Sequence, residues 1–260
     1  MRLLEVSRNK IITLLTDFGY DDPFVGQMKG VILKINSNVE IVDITHGIQP
    51  QAVEDAAFVL WQSFKYFPKG TIHITVVDPG VGSQRKALIV KSQGHYFLAP
   101  DNGVLSYVIK KPFLCVSIEN PKYILQKDSP TFQGRDLFAP AAAWLSKGIS
   151  IKEFGKPIKQ PVLFELSNPV VLHDRILGQI VYIDRFGNAI TNIKPEGRKI
   201  KEIRVGDMIF PMVNFYAQSP DKPAALINSE GLVEIFIYKG NAVKSLGLEK
   251  KQKVEALLDG

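Results

Sequence analysis

The chain has 260 residues with 45% hydrophobic and 22% charged side chains, which excludes a disordered chain and allows one or two domains with a sizeable core. Its +6 charge is spread thinly, +4 over residues 1–156 and +2 over 157–260, and the one basic cluster, Arg198-Lys199-Ile200-Lys201, runs straight into Glu202. That pattern reads as a solvated face rather than a nucleic-acid stripe, and the single cysteine, Cys115, excludes an intrachain disulfide or a thiolate metal cluster.

At the N-terminus Arg2, Glu5, Arg8 and Lys10 interrupt the hydrophobics, so a signal-peptide core is not expected there. No segment approaches the ~20 apolar residues of a membrane span. A cytoplasmic protein with no membrane partner is expected. Ile11–Leu15 is a continuous apolar run of the kind found in a strand buried on both faces. Phe24, Met28, Val31, Ile32 and Ile35 then recur at helical spacing, with Asp22 as the expected N-cap and Pro23 at the first helical position. Val39–Thr45 reads as a strand. Pro50 is expected to open a helix carrying Val53, Ala56, Ala57, Leu60, Trp61 and Phe64 on one face. Further strands fit 71–77, 87–90, 96–99 and 113–118, the last burying Cys115, and a helix fits Leu137–Leu145, stopped at Gly148. This rhythm predicts an α/β domain with a mainly parallel sheet flanked by helices. Beyond the Pro-punctuated stretch from Gly155 to Pro169 come short β-rich runs separated by turns, which predict a smaller, all-β, barrel-like C-terminal domain. The expected domains are residues 1–160 and 170–260.

In a parallel sheet the ligand crevice lies beyond the carboxyl ends of the strands. Three expected strands end in acidic, glycine-rich punctuation: Thr16-Asp17-Phe18-Gly19, Asp78-Pro79-Gly80-Val81-Gly82 and Pro100-Asp101-Asn102-Gly103. Carboxylates there suit a ribose diol or a cation, and serve phosphates poorly. Each one taken alone is as well explained by a capped turn. Converging on one rim, the three make a polar site the better reading. Gly80-Val81-Gly82 is only a fragment of a dinucleotide fingerprint, and the chain has neither a Walker-type loop nor a GxSxG elbow. The histidines, His46, His73, His95 and His173, lack metal-ligand spacing, and no metal is assigned. His73 reads as a satisfied core group, whereas His46, at a strand end, is placed where it can line the rim.

Taken in order, Thr16-Asp17-Phe18-Gly19, Gln27-Met28-Lys29-Gly30, Val42-Asp43-Ile44-Thr45-His46, Val76 to Gly82, Ala99 to Gly103, Thr131-Phe132-Gln133-Gly134-Arg135-Asp136, Asp184-Arg185-Phe186-Gly187-Asn188 and Ile227 to Gly231 form a set. That set resembles the S-adenosylmethionine hydrolases (adenosine-forming), relatives of the fluorinase and chlorinase enzymes that make adenosyl halides. The resemblance implies hydrolysis of S-adenosyl-L-methionine to adenosine and L-methionine by water attacking the ribose C5′. It implies no cofactor, and a homotrimer with active sites between subunits. By position, Asp17 would hold the ribose hydroxyls, and Asp22 and Asp184 would face the methionine ammonium. Ser229 would hold the carboxylate, with Glu230 where the halogenating relatives place an arginine. Phe186, Asn188, Tyr216 and the Asn241-Ala242 backbone would frame the adenine. Asp78 and Arg85 match two members of the hydrolases' water-activating Asp-Arg-His set, and Gln133 stands where the third, histidine, belongs. Two other outcomes follow from these departures: a weakened or non-catalytic protein that binds adenosyl ligands, because of Gln133, or halide attack at the same carbon. The second is disfavoured by a carboxylate at Asp78 and by Val81 and Gly134, where the halogenating relatives carry a tyrosine and a hydroxyl-bearing pocket.

Overall fold

The computed structural model describes residues 10–125 and 130–259, so Arg2, Glu5 and Arg8 lie outside the described residues. The chain divides into two compact units, Met1–Phe164 and Glu165–Gly260.

The first unit is built on a six-stranded sheet, in the order β2-β1-β3-β5-β4-β6. Its strands are β1 Lys10–Thr16, β2 Val39–Thr45, β3 Ile72–Val76, β4 Ala87–Ser92, β5 His95–Pro100 and β6 Leu114–Ser117. The apolar run of β1 is buried on both faces, as its lack of alternation requires. Successive side chains point to opposite sides. Ile12 and Leu14 join one hydrophobic cluster with α1 (Phe24–Ile35) and α3 (Ala139–Ser146), and Leu15 joins another with α2 (Val53–Phe64). Helices thus cover both faces, and the strand ends are left to form the site.

Two local expectations are corrected, and the mainly parallel sheet is found with one antiparallel hairpin toward its edge. Pro23, not Asp22, is the residue before the first helical turn, and no side chain caps it. The second helix begins at Val53 rather than Pro50, because Gln51 adopts a positive φ of 66° and breaks the turn. β1, β2, β3 and β5 pair in parallel, but β4 runs antiparallel to both β5 and β6. Only Gln93 and Gly94 separate β4 from β5, and both have φ above zero. Two residues close a hairpin and cannot make a parallel crossover.

The second unit is an antiparallel sheet in the order β11-β10-β14-β8-β9-β13-β12, with the short β7 (Val170–Val171) pairing with β8. Its strands are β8 Arg175–Ile183, β9 Ala189–Thr191, β10 Ile200–Val205, β11 Met208–Pro211, β12 Ala224–Ile227, β13 Val233–Phe236 and β14 Lys253–Leu258. The sheet curls until the residues after β11 meet β12, where the Val213 amide donates to the Ala225 carbonyl at 2.8 Å. This nearly closed barrel encloses Ile176, Ile180, Ile203, Phe210, Val233 and Ile235, and α4 (Ala242–Leu246) packs against it through Val243 and Leu246. Among the described residues no helix is long and apolar enough to cross a membrane.

Candidate active site

A cavity of about 630 Å³ opens beyond the carboxyl ends of β1 and β3. Asp17 enters it one residue after β1 and Asp78 two residues after β3, which is where a parallel sheet leaves room for a ligand. Phe18, Phe24 and Phe132 line one wall and meet edge-on, with ring centroids 5.2–5.7 Å apart. Val76, Pro79, Val81 and Gly134 add further apolar or small surface, while Gln51, Thr131 and Gln133 supply neutral polar groups. Carboxylates set in apolar walls are an environment for a ligand that carries both a cation and hydroxyls.

Asp78, Arg85 and Gln133 are brought together. Arg85 Nε donates to Asp78 Oδ1 at 2.8 Å, and a second guanidinium nitrogen donates to Asp78 Oδ2, so the pair is bidentate. That second nitrogen also donates to Gln133 Oε1 at 2.5 Å. A guanidinium has donors only, so the amide oxygen must face it, and the Gln133 amide nitrogen is left to donate elsewhere. The side chains of Asp78 and Arg85 are 5% and 10% exposed. Each charge is therefore largely desolvated and held by the other. Gln133 owes its placement to the chain that follows, which enters α3 through a single π-helical turn, Gly134–Phe138.

Asp17 accepts from the Gln51 amide through Oδ2 at 2.8 Å, which ties the β1 end to the turn before α2. Asp22 is exposed in the turn before α1 and is not among the residues that line the cavity. The third acidic strand end does not join this rim: Asp101 Oδ1 accepts from the Val162 amide at 2.7 Å and closes a loop. His46 does not line the rim either, being fully buried behind it. His73 is a satisfied core residue, bonded to Thr13 at 2.8 Å and to His95 at 3.1 Å. Cys115 is buried, and burial pushes its thiol up to about 12. Among the described residues no three His, Cys, Asp or Glu side chains gather as a metal site requires.

The other predicted residues belong to the second unit. Asp184 Oδ1 accepts from the amides of Phe186 and Asn188, and its Oδ2 from the Asn188 side chain, which orders the turn between β8 and β9. The ring of Phe186 is 75% exposed on that turn. Asn241 packs on Gly187, and the Val243 amide donates to the Gly187 carbonyl at 3.0 Å, so Asn241 and Ala242 lie against the same turn. Asn228 caps the Ser229–Gly231 turn by accepting from the amides of Glu230 and Leu232.

Two features escape a reading of strand ends. One is the Phe18-Phe24-Phe132 wall, whose members are far apart in sequence. The other is Glu234, 3% exposed, which accepts from the Tyr216 hydroxyl at 2.7 Å and from Asn228 Nδ2 at 3.2 Å. Burial, and the nearby Asp184, raise its pKa above the ordinary value, against the lowering effect of its hydrogen bonds to Tyr216, Asn228 and Asn188. Burial, then Glu234, likewise raise that of the Tyr216 phenol. The signal was available: Glu234 is the only charged residue in the run Leu232-Val233-Glu234-Ile235-Phe236.

The chain is also similar to known proteins. The chain is 34% identical over 258 residues to an (R)-S-adenosyl-L-methionine hydrolase of Thermus thermophilus, covering 95% of this chain and 99% of that one. An (R)-S-adenosyl-L-methionine hydrolase of Methanocaldococcus jannaschii is 34% identical over 268 residues, covering 95% of each. A crystal structure of an uncharacterized conserved protein from Thermotoga maritima superposes with a TM-score of 0.86 at 32% identity, covering 95% of this chain and 99% of that one. Residues 12–155 match the SAM hydroxide adenosyltransferase N-terminal domain and residues 178–255 match its C-terminal domain, so the chain belongs to the SAM hydroxide adenosyltransferase family.

Proposed function

We propose that this protein hydrolyses S-adenosyl-L-methionine to adenosine and L-methionine by direct attack of water on the ribose C5′. The observation that carries the reading is the desolvated Asp78–Arg85 pair, extended by Gln133, on the wall of a cavity that also holds Asp17. The sulfonium leaves as a neutral thioether, so the leaving group needs no protonation. What remains is to place one water in line with the C–S bond and to strip away competing solvent. An in-plane N–H of the Arg85 guanidinium, or Gln133 Nε2 held in place by it, donates to the water oxygen and fixes it, leaving one lone pair free to attack C5′. Asp78 orients Arg85 and accepts the water's proton as the C–O bond forms; that proton then passes to solvent. Overall, one water is consumed and one proton is released.

Asp17 holds the ribose hydroxyls in this reading. Asp22 and Asp184 face the ammonium, and Ser229 meets the carboxylate end, with Glu230 at the next position. Phe186, Asn188, Tyr216, Asn241 and Ala242 frame the adenine. The protein works in the cytoplasm as a homotrimer, with each site drawing residues from two chains, and it requires no cofactor. Heterologous contacts of this kind close into a ring. Mixing Asp17→Ala and Asp184→Ala chains, each weakly active at substrate concentrations well below the parent's KM, is expected to restore part of the activity there, because some sites then receive neither substitution. A fully active monomer by light scattering rules the assembly out.

Chromatography of a reaction of purified protein with S-adenosyl-L-methionine is expected to give equimolar adenosine and methionine. Adding chloride or fluoride should yield no adenosyl halide, since Asp78 repels an anion at that position. Unchanged substrate under all conditions overturns hydrolysis. A second reading, a binding protein with faded chemistry, is favoured by Gln133 alone. Tight adenosine binding by calorimetry with no turnover over hours selects it.

A further inference from the structure

Behind the rim, outside the residues that line the cavity, lies a buried polar chain that the mechanism above does not use. Thr16 Oγ1 and His46 Nδ1 are 2.8 Å apart, and both residues are fully buried. On the other side of the ring His46 Nε2 lies 3.1 Å from Asp43 Oδ1, a close but poorly aligned approach, and neither of these two buried atoms makes a hydrogen bond elsewhere. Asp43 Oδ2 accepts from Lys29 Nζ at 2.6 Å. At the inner end Thr16 Oγ1 accepts from the Phe18 amide at 3.2 Å.

The donors and acceptors fix the direction of this chain. A carboxylate only accepts, so His46 Nε2 carries the proton, and in the neutral ring Nδ1 is then an acceptor. The Thr16 hydroxyl therefore donates to His46 and keeps its lone pairs for the Phe18 amide. Donation runs from Phe18 through Thr16 to His46, whose Nε2 faces the Asp43 carboxylate that Lys29 holds from the outside. Two further contacts bind the same segment to His46. The Gly19 amide donates to the His46 carbonyl at 2.9 Å, from a φ of +65° that glycine adopts without strain, and the Tyr20 ring meets the imidazole edge-on at 5.1 Å. Residues 16–20 are thus gripped by one histidine, and Asp17 sits in the middle of them.

We infer that His46, with Asp43 and Thr16, is a positioning residue that fixes the carboxylate of Asp17 and the ring of Phe18 at the cavity. It touches no substrate and takes no part in proton transfer at C5′. The inference rests on the reading of Asp17 as a substrate-holding group. Its predicted mark is selective. Loss of the chain loosens ligand binding, which depends on Asp17, and spares the Asp78–Arg85–Gln133 group, which is anchored by other elements.

Thr16→Val removes the hydroxyl at nearly constant volume, and Thr16→Ser keeps it. Adenosine binding by calorimetry, steady-state kinetics and hydrogen exchange at the Phe18 amide are measured on both and on the parent. Thr16→Val is expected to lose protection at Phe18, to weaken adenosine binding and raise KM by about tenfold, and to keep kcat within about threefold. Thr16→Ser is expected to restore all three. Adenosine affinity within twofold of the parent in Thr16→Val overturns the inference, as does an equal fall in kcat and kcat/KM with KM unchanged. Should Thr16→Val not fold, Asp43→Asn decides, because an amide cannot accept from both Lys29 and His46; unchanged adenosine binding there is the refuting result. A parent that binds no adenosyl ligand refutes the proposed function instead, and Phe18 exchange then judges the chain alone: protection retained in Thr16→Val refutes it.

Discussion

At Gln133 the amide oxygen faces Arg85, so whatever this side chain does for water it does through its amide nitrogen. An amide orients water but does not exchange a proton near neutrality, whereas histidine titrates near pH 6.5. Single-turnover rates for this chain are expected to show no histidine limb with pH. Gln133→His is expected to add that limb and to raise the rate by about tenfold; identical profiles would mean that the position only orients groups. The proposed roles of Asp17 and Arg85 separate by the state in which each would act. Asp17→Ala is expected to raise KM with little change in kcat, because a ribose contact is made equally in ground and transition states. Arg85→Ala is expected to lower kcat by ~10²-fold, and a change within twofold would remove Arg85 from water activation. His73 and His95 belong to a different account, since neither lines the cavity. Burial, then His95, holds His73 down at about 3, and burial, then Lys69, holds His95 at about 4. Between those values and the ordinary 6.5 the unfolded chain binds more protons than the folded one, so stability rises with pH there. The full contribution is present above pH 6.5 and is lost as pH falls toward 4 and 3. Thermal melts across pH 3.5–7 should show this slope, and the His73→Phe, His95→Phe double variant should flatten it.

Among the elements, the turn between β8 and β9 carries the most predicted substrate residues for its length. Gly187 sits there at φ +84°, and a Cβ on it would lie 2.2–2.3 Å from the Asn241 side chain. Asn241 is not free to yield, because its Oδ1 caps α4 by accepting from the Lys244 amide at 2.8 Å. Gly187→Ala is therefore expected to destabilise the chain by about 1–3 kcal/mol and to raise KM as the turn shifts, as calorimetric melts and steady-state kinetics would show. A variant that melts and binds like the parent would mean that the turn yields without cost. In the first unit the comparable element is the π-helical turn at Gly134–Phe138. A Cβ on Gly134 would come within 3.0–3.4 Å of Phe132, Met28 and Phe18, so the position beside Gln133 is kept small by the packing of the aromatic wall.

At the scale of the molecule the chain holds two units, each with its own apolar interior: two clusters flank the sheet in the first, and a separate one fills the barrel of the second. The predicted substrate residues are divided between them. The Asp78–Arg85–Gln133 group is complete within the first unit, and the turns carrying Asp184, Asn188, Ser229 and Asn241 are ordered within the second. Each of these two groups is therefore ordered by hydrogen bonds within its own unit. That division is the reason the mixing experiment on Asp17→Ala and Asp184→Ala chains is informative.

Much was determined by the sequence alone, because burial writes a period into a chain. The two-faced apolar run at Ile11–Leu15 had to be a central strand, and α1 and α2 had to lay their apolar stripes on a sheet. The acidic punctuation after β1 and β3 located the cavity, since parallel strands aim their carboxyl ends at one rim. The Asp-Phe-Gly and Thr-Phe-Gln-Gly-Arg-Asp motifs carried the family. Partnership across long sequence separations was not legible. Nothing local distinguishes Asp101, spent on a loop, from Asp17, which lines the cavity, because the difference is the distant Val162 amide. His46 looked like a rim residue and is a buried one, because its ring is claimed by Thr16 and Asp43, 30 residues before it and three before it. Glu234 needed Tyr216 and Asn228 beside it before a buried carboxylate made sense. Local period records which side of an element is buried; which polar groups pay one another's desolvation is settled only when the tertiary fold brings them within hydrogen-bond distance.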